Sequence, residues 1–265
     1  MPASVMTPLS DLCDGFLIDL DGVVWVGGEL IAGANEAVAR LRAEGKGVLF
    51  LTNDPRGTRA ELAARLTSLG VPASADDVVA AGAVTAETAA IRLAGREAAS
   101  AFVVGSDGLR AEVVEAGIGL APPDAPEVEA VLVGGHDRFD YEELRAASRL
   151  LEDDHTIFLA TGRDATFPMP DGRWPATGAI LAAIETASGR TAVVCGKPEQ
   201  PMFEAARRRL DRCRRLGIVG DNPASDIDGG RRAGIATFLI ATDGLSDAAE
   251  AGADHVLPTL RALTQ

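Results

Sequence analysis

Cysteine is scarce in this 265-residue chain. Its three, Cys13, Cys195 and Cys213, are far apart and form no Cys-x-x-Cys pair, so neither a disulfide frame nor a zinc site is indicated. Buried apolar filler is their expected role. Positive charge is also in short supply, with 25 Lys and Arg against 39 Asp and Glu and a net charge of −14. That balance argues against nucleic acid or an anionic membrane surface as partner, because both select basic faces. Phosphate-bearing small molecules stay open, since a bound metal ion can invert the field at one site. Lysine is nearly missing. Only Lys46 and Lys197 occur, and a lysine kept in so arginine-rich a chain marks a position to follow. No apolar run reaches the roughly 20 residues of a membrane span. The stretch from Met1 to Asp11 has neither the basic start nor the apolar core of an export signal, so a cytoplasmic protein is expected. Internal repeats and low-complexity tracts are absent too.

What is present is ample apolar material, 47% of residues, in a chain long enough for one large domain or two ordinary ones. Phe16, Leu17, Ile18 and Leu20 make a short continuous run, the pattern of a strand buried on both faces. Ala37, Val38 and Leu41 then recur at helical spacing before Gly45. Val48 to Leu51 reads as a second strand, and Leu62, Leu66 and Leu69 mark a second helix. Strand, helix, strand, helix implies a parallel sheet. The alternation restarts after a helix over 83–93, with strands at 102–104, 131–133 and 157–159, and helices near 109–115, 141–151 and 179–187. A third stretch, from Val193, gives strands at 192–194, 216–219, 237–240 and 255–257. Helices over 201–210 and near 225–233 lie among them. The arginines between Arg207 and Arg215 read as a solvated helix face.

Four polar clusters fall at or just after strand ends: Asp19-Leu-Asp21-Gly22, Thr52-Asn53-Asp54, Gly196-Lys197-Pro198 and Gly220-Asp221-Asn222-Pro223-Ala224-Ser225-Asp226. Open parallel sheets bind ligands beyond the carboxyl ends of their strands. Asp19 and Asp21, two residues apart, point the same way if the chain there stays extended. Burying both calls for a cation. Gathered at one edge, the clusters supply carboxylates for a hard cation, a hydroxyl and a lysine for anionic oxygens, and a spare carboxylate for proton transfer. That inventory fits phosphoryl transfer with Mg²⁺.

In this order the motifs resemble those of the haloacid dehalogenase-like (HAD) hydrolases. Asp-Leu-Asp-Gly-Val-Val-Trp, Ile31-Ala32-Gly33-Ala34, Phe50-Leu51-Thr52-Asn53, and Ala160-Thr161 through Phe167-Pro168 are similar to the NagD-like, para-nitrophenyl-phosphatase-like group. The resemblance implies an α/β fold, a Rossmann-like core of residues 1–81 and 191–265 with an inserted α/β cap over 82–190. It implies a Mg²⁺-dependent phosphomonoesterase in which Asp19 attacks phosphorus and Asp21 serves as acid and then base. Asp19, the backbone carbonyl of Asp21, Asp221 and Asp226 would hold the metal, Asp226 directly or through water. Thr52, Asn53 and Lys197 would bind the phosphoryl group. The implied partner is a small phosphorylated metabolite such as a sugar phosphate, glycerol phosphate or nucleotide, with a homodimer through the cap as a further expectation.

The chain departs from that group at Asp54, at Gly162-Arg163 and at Pro175-Ala176-Thr177-Gly178, positions beside the substrate and not on the phosphoryl group. His136, Arg163 and Asp164, in the implied cap, are the candidate specificity residues. Two alternatives are a phosphorylatable receiver-like module and a catalytically silent metabolite binder. A receiver keeps one acceptor Asp and needs no cap, and the complete motif set disfavours a silent binder.

Overall fold

A computed structural model of the chain describes residues 8–96, 98–169, 171–241 and 252–265. The first seven residues of the stretch read for an export signal lie outside them. Two compact units emerge. One comprises Met1–Thr52, Leu62–Val79 and Phe203–Gln265, and the other Asn53–Glu61 and Ala80–Met202.

The first unit is built on a six-stranded sheet in the order His255–Leu257, Ala236–Ile240, Leu216–Gly220, Gly15–Asp19, Gly47–Thr52, Val78–Ala80. The Gly15–Asp19 strand is central and pairs in parallel with both neighbours, Ile18 opposite Val219 on one side and Asp19 opposite Leu51 on the other. This register sets the ends of three strands level, with Asp19, Thr52 and Gly220 at the carboxyl edge. Phe16, Leu17, Ile18 and Leu20 are all 1% exposed or less, each contributing about 2 kcal/mol by leaving water. The strand sits rigidly at the centre of the core. Strand Val78–Ala80 and the small hairpin of Trp25–Val26 with Glu29–Leu30 were not evident in the sequence pattern.

The second unit carries its own parallel sheet, ordered Val193–Val194, Ile157–Ala160, Ala130–Val133, Ser100–Val104, Gly119–Leu120. Its core gathers Phe102, Val104, Val131, Val133, Phe158, Leu181 and Ile184. Residues 191–202, read from sequence with the core, cluster here because Val193 and Val194 pair with Leu159 and Ala160. Residues 53–61 do so because Arg59 binds Glu112 through its Nε at 3.0 Å and its backbone N–H at 2.7 Å, while Ser106 Oγ donates to Pro55 O at 2.8 Å. A hairpin of Thr166–Met169 with Gly172–Pro175 completes the unit.

Cys13 and Cys195 are buried and Cys213 partly so, all three as free thiols. Arg207, Arg208, Arg212, Arg214 and Arg215 are exposed. Among the described residues no helix is long and apolar enough to cross a membrane.

Candidate active site

At the carboxyl edge of the first sheet, oxygen atoms of Asp19, Asp221 and Asp226 lie within 4.8 Å of one another. Asp19 ends its strand at 8% exposure, Asp226 is fully buried, and Asp221 is exposed at the rim. At that spacing two carboxylates repel by about 3 kcal/mol at an effective dielectric near 20, more than an ordinary hydrogen bond returns. A divalent cation reverses the sign. All-oxygen donors suit a hard ion such as Mg²⁺.

The local sequence makes room for these side chains. A Cβ on Gly22 would overlap the Asp221 carboxylate, and one on Gly220 would overlap Asp226. Gly22 also has φ +78°, a backbone conformation that favours glycine. Asn222 then caps the turn at 223–227. Its Oδ1 accepts from the N–H groups of Ala224 (3.0 Å) and Ser225 (3.3 Å), and its own N–H donates to Asp226 Oδ2 at 3.1 Å. Gly-Asp-Asn-Pro thus forms an Asx turn beside the carboxylate cluster. The helix expected near 225–233 begins only at Asp228, after a π-type turn over Pro223–Ile227.

Asp21 is not among the three converging carboxylates. The chain leaves the extended conformation at Leu20, whose carbonyl accepts from Val24 N (2.9 Å) and Trp25 N (3.1 Å). The extended stretch therefore ends at Asp19, before Asp21 is reached. The Asp21 side chain is exposed, and its Oδ1 accepts a hydrogen bond from Trp25 Nε1 at 2.9 Å. The one contact expected of it at the metal is through its backbone carbonyl.

Thr52 closes its strand at 2% exposure. In the second unit Lys197 is 4% exposed, and Asn53 grips its backbone from both sides. Lys197 N–H donates to Asn53 Oδ1 at 2.8 Å, and Asn53 Nδ2 donates to Lys197 O at 2.9 Å. Asn53 Nδ2 also lies 3.4 Å from Asp164 Oδ2. Both ends of the Asn53 amide are engaged here, so it holds the lysine segment in place. A Cβ on Gly196 would overlap Thr161 O, which fixes the residue before the lysine as glycine.

Two of the three expected specificity residues are occupied in other ways. Arg163 forms a two-pronged pair with Glu185 at 2.8 and 2.7 Å, which raises the pKa of the guanidinium. The same pairing, against partial burial, holds the Glu185 carboxyl below its ordinary range, helped by a 3.0 Å bond from Ala192 N–H. His136 Nε2 approaches Glu143 Oε2 to 3.0 Å without hydrogen-bond geometry, and burial raises the Glu143 carboxyl. Of the three, Asp164 alone is exposed without a salt bridge among the described residues. Trp25 and Asn222 were not singled out from the sequence. For Trp25, the spacing Asp21-x-x-x-Trp25 was the available signal.

A profile described as haloacid dehalogenase-like hydrolase matches residues 16–119, and one described as HAD-hydrolase-like matches 194–263. Chronophin of Mus musculus is 42% identical over 247 residues, covering 90% of this chain and 84% of chronophin. Glycerol phosphate phosphatase from Mycobacterium tuberculosis, solved in complex with magnesium, superposes with a TM-score of 0.88 at 29% identity, over 98% of this chain and 79% of that one. NagD from E. coli gives 0.80 at 27% identity, over 94% and 97%. A receiver-like module is excluded by these matches. The carboxylate edge, the inserted α/β unit and the matches across both motif regions together make the chain a member of the haloacid dehalogenase-like hydrolases, and of their phosphatases.

Proposed function

We propose that this chain is a Mg²⁺-dependent phosphomonoesterase that works through an aspartyl phosphate on Asp19. Its substrate is a small phosphorylated metabolite, of the sugar phosphate, glycerol phosphate or nucleotide class. The observation that carries the proposal is the convergence of Asp19, Asp221 and Asp226 at one sheet edge, with Gly22 and Gly220 leaving space for them. The magnesium-bound glycerol phosphate phosphatase, which shares the fold, supports both the ion and the substrate class.

When bound, Mg²⁺ supplies the positive charge that lets a carboxylate approach a phosphate dianion. Asp221 and Asp226 hold it together with Asp19 and the Asp21 carbonyl. Asp19 is the nucleophile, fixed by a strand that cannot shift without opening the core. Asp21, exposed and outside the carboxylate cluster, protonates the departing oxygen and afterwards takes a proton from the attacking water. Thr52 and Lys197 are the proposed holders of the phosphoryl oxygens, on the strength of the motif order, with Asn53 positioning the lysine backbone. A cationic group there would stabilise the charge that gathers in the transition state. Leaving-group discrimination belongs to the second unit, where the departures from the family pattern lie, with Asp164 the exposed candidate.

The test is hydrolysis of para-nitrophenyl phosphate with Mg²⁺, with excess chelator, and with Mg²⁺ restored. Activity should vanish and return. Full turnover in chelator would refute the proposal.

A further inference from the structure

Resting on the phosphatase reading above, we propose that Trp25 is a positioning residue for proton transfer. Its indole N–H fixes Asp21 Oδ1 as an acceptor, so the proton Asp21 transfers is carried on Oδ2. The indole nitrogen can only donate, never accept. An Oδ1 that receives this bond at 2.9 Å cannot itself hold a proton on the same side. Asp21 is exposed, and a free Asp side chain would rotate among orientations. Trp25 is 1% exposed and cannot follow it.

The indole is itself held on two sides. Its backbone N–H donates to Leu20 O, and its carbonyl accepts from Gly22 N–H at 2.8 Å, closing the loop on which Asp21 rides. The Arg65 guanidinium lies 4.5 Å from the indole ring centroid, a cation–π contact on the ring face. The hairpin turn that follows Trp25 makes this possible, because a Cβ on Gly28 would come within 2.9 Å of Arg65 Nη2. Arg65, Trp25 and Asp21 form a line of contacts, cation to ring to carboxyl. The line ends on the group that moves the proton.

Each step uses the same oxygen. As the bond from Asp19 to phosphorus forms, the bond to the leaving oxygen breaks and the Asp21 Oδ2 proton passes to that oxygen. In the second step water bonds to phosphorus, the Asp19–phosphorus bond breaks, and Oδ2 recovers one proton from the water. The products are alcohol and inorganic phosphate, with both aspartates returned to their starting states.

The experiment uses the full chain and three variants, Trp25→Phe, Arg65→Gln and Asp21→Asn. A fourth protein carries benzothienylalanine at position 25 in a Trp174→Phe background, keeping the bicyclic shape while losing the N–H. Para-nitrophenyl phosphate, whose leaving group needs little protonation, is compared with glycerol 3-phosphate, whose alkoxide needs a proton. For Trp25→Phe and the isostere, kcat/KM on glycerol 3-phosphate should fall at least tenfold while that on para-nitrophenyl phosphate stays within threefold. kcat on para-nitrophenyl phosphate should fall, and rapid-quench intact mass should show the phosphoenzyme accumulating, as in Asp21→Asn. Arg65→Gln should move the same quantities in the same direction by less. Equal losses on both substrates without phosphoenzyme, in the isostere as well as Trp25→Phe, overturn the proposal and leave the phosphatase reading intact. Wild-type-like kinetics in the isostere overturn it too. If Asp21→Asn neither accumulates phosphoenzyme nor loses turnover, the assigned role of Asp21 fails and the proposal falls with it.

Discussion

The two parallel sheets of this protein end in different ways. In the first, strands Gly15–Asp19 and Leu216–Gly220 run out into acidic residues whose oxygens converge within 4.8 Å. In the second, Ser100–Val104, Ala130–Val133 and Ile157–Ala160 run out into Gly105, Gly134 and Thr161, and these are filled by packing. Leu109 reaches into the space a Cβ would take on both Gly105 and Gly134, and Thr161 Oγ1 faces Thr177 Oγ1 at 3.4 Å. Sheet topology creates a crevice at the carboxyl edge in either case. Which residues follow the last strand position decides whether it is kept polar or closed by a leucine.

The strongest way to break this contrast is at the nucleophile. Asp19→Asn should bring turnover of para-nitrophenyl phosphate to near background, because an amide cannot attack phosphorus. Activity within about tenfold of wild type, a barrier change of only about 1.4 kcal/mol, would remove Asp19 from its role. Thr161→Val at the other sheet's edge should leave kcat/KM nearly unchanged. Next come the two lysines. Lys197→Ala should lower kcat/KM by about 10²–10³, the usual loss when one charge-stabilising donor is removed. Lys46, whose Nζ bonds Cys13 O at 2.9 Å, should show under threefold when changed to Ala. Comparable losses in both would make the lysine effect a folding effect.

Strand-end glycines sharpen the comparison further. Gly220→Ala pushes on Asp226 and should cost about 100-fold in kcat/KM with weaker Mg²⁺ binding by calorimetry. Gly134→Ala pushes on Leu109, Thr161 and Pro55, and should lower Tm by several degrees, in line with about 1–3 kcal/mol for overpacking. Its kcat/KM below the melting range should stay within a few-fold. The reverse pattern would show that the second edge is the functional one.

The smallest effect concerns Arg163. Its pairing with Glu185 is half exposed, so Arg163→Ala should cost about 0.5–1 kcal/mol of stability. The Glu185 carboxyl is depressed in the folded state, so the stability it adds is present above the ordinary glutamate range and is lost as pH falls through its lowered value. Melting curves of wild type should therefore converge on those of Arg163→Ala in acid. A gap that stays constant to low pH would mean the pair does not act electrostatically.

Much of this was legible because parallel strands announce themselves as apolar runs. The strands at 15–19, 47–52, 130–133, 216–220 and 255–257 follow directly from Phe16-Leu17-Ile18, Val48 to Leu51 and their counterparts. Val78–Ala80 escaped notice because three buried residues leading straight into a helix show no period of their own. The hairpin at 166–175 was hidden by prolines at 168 and 175, which argue against a strand anywhere but an edge. At the site, residue types and order revealed the carboxylates, but partners could not be read. Asn53 meets Lys197 across 144 positions, and only folding brings them together. Arg163 drew attention as a departure from the family pattern, while its partner Glu185 lies 22 positions on, in the helix Thr177–Ser188, where sequence order does not reveal the pairing.

The buried thiols have a practical consequence for handling the protein. Burial pushes Cys13 up to about 11 and raises Cys195 and Cys213 as well. Only the thiolate reacts with alkylating reagents, and a thiol at about 11 is ionised to roughly one part in a thousand at pH 8. A single cysteine introduced at an exposed position such as Asp164 would therefore take up a fluorophore or spin label well ahead of the native three. Site-selective labelling of the chain needs no cysteine-free background.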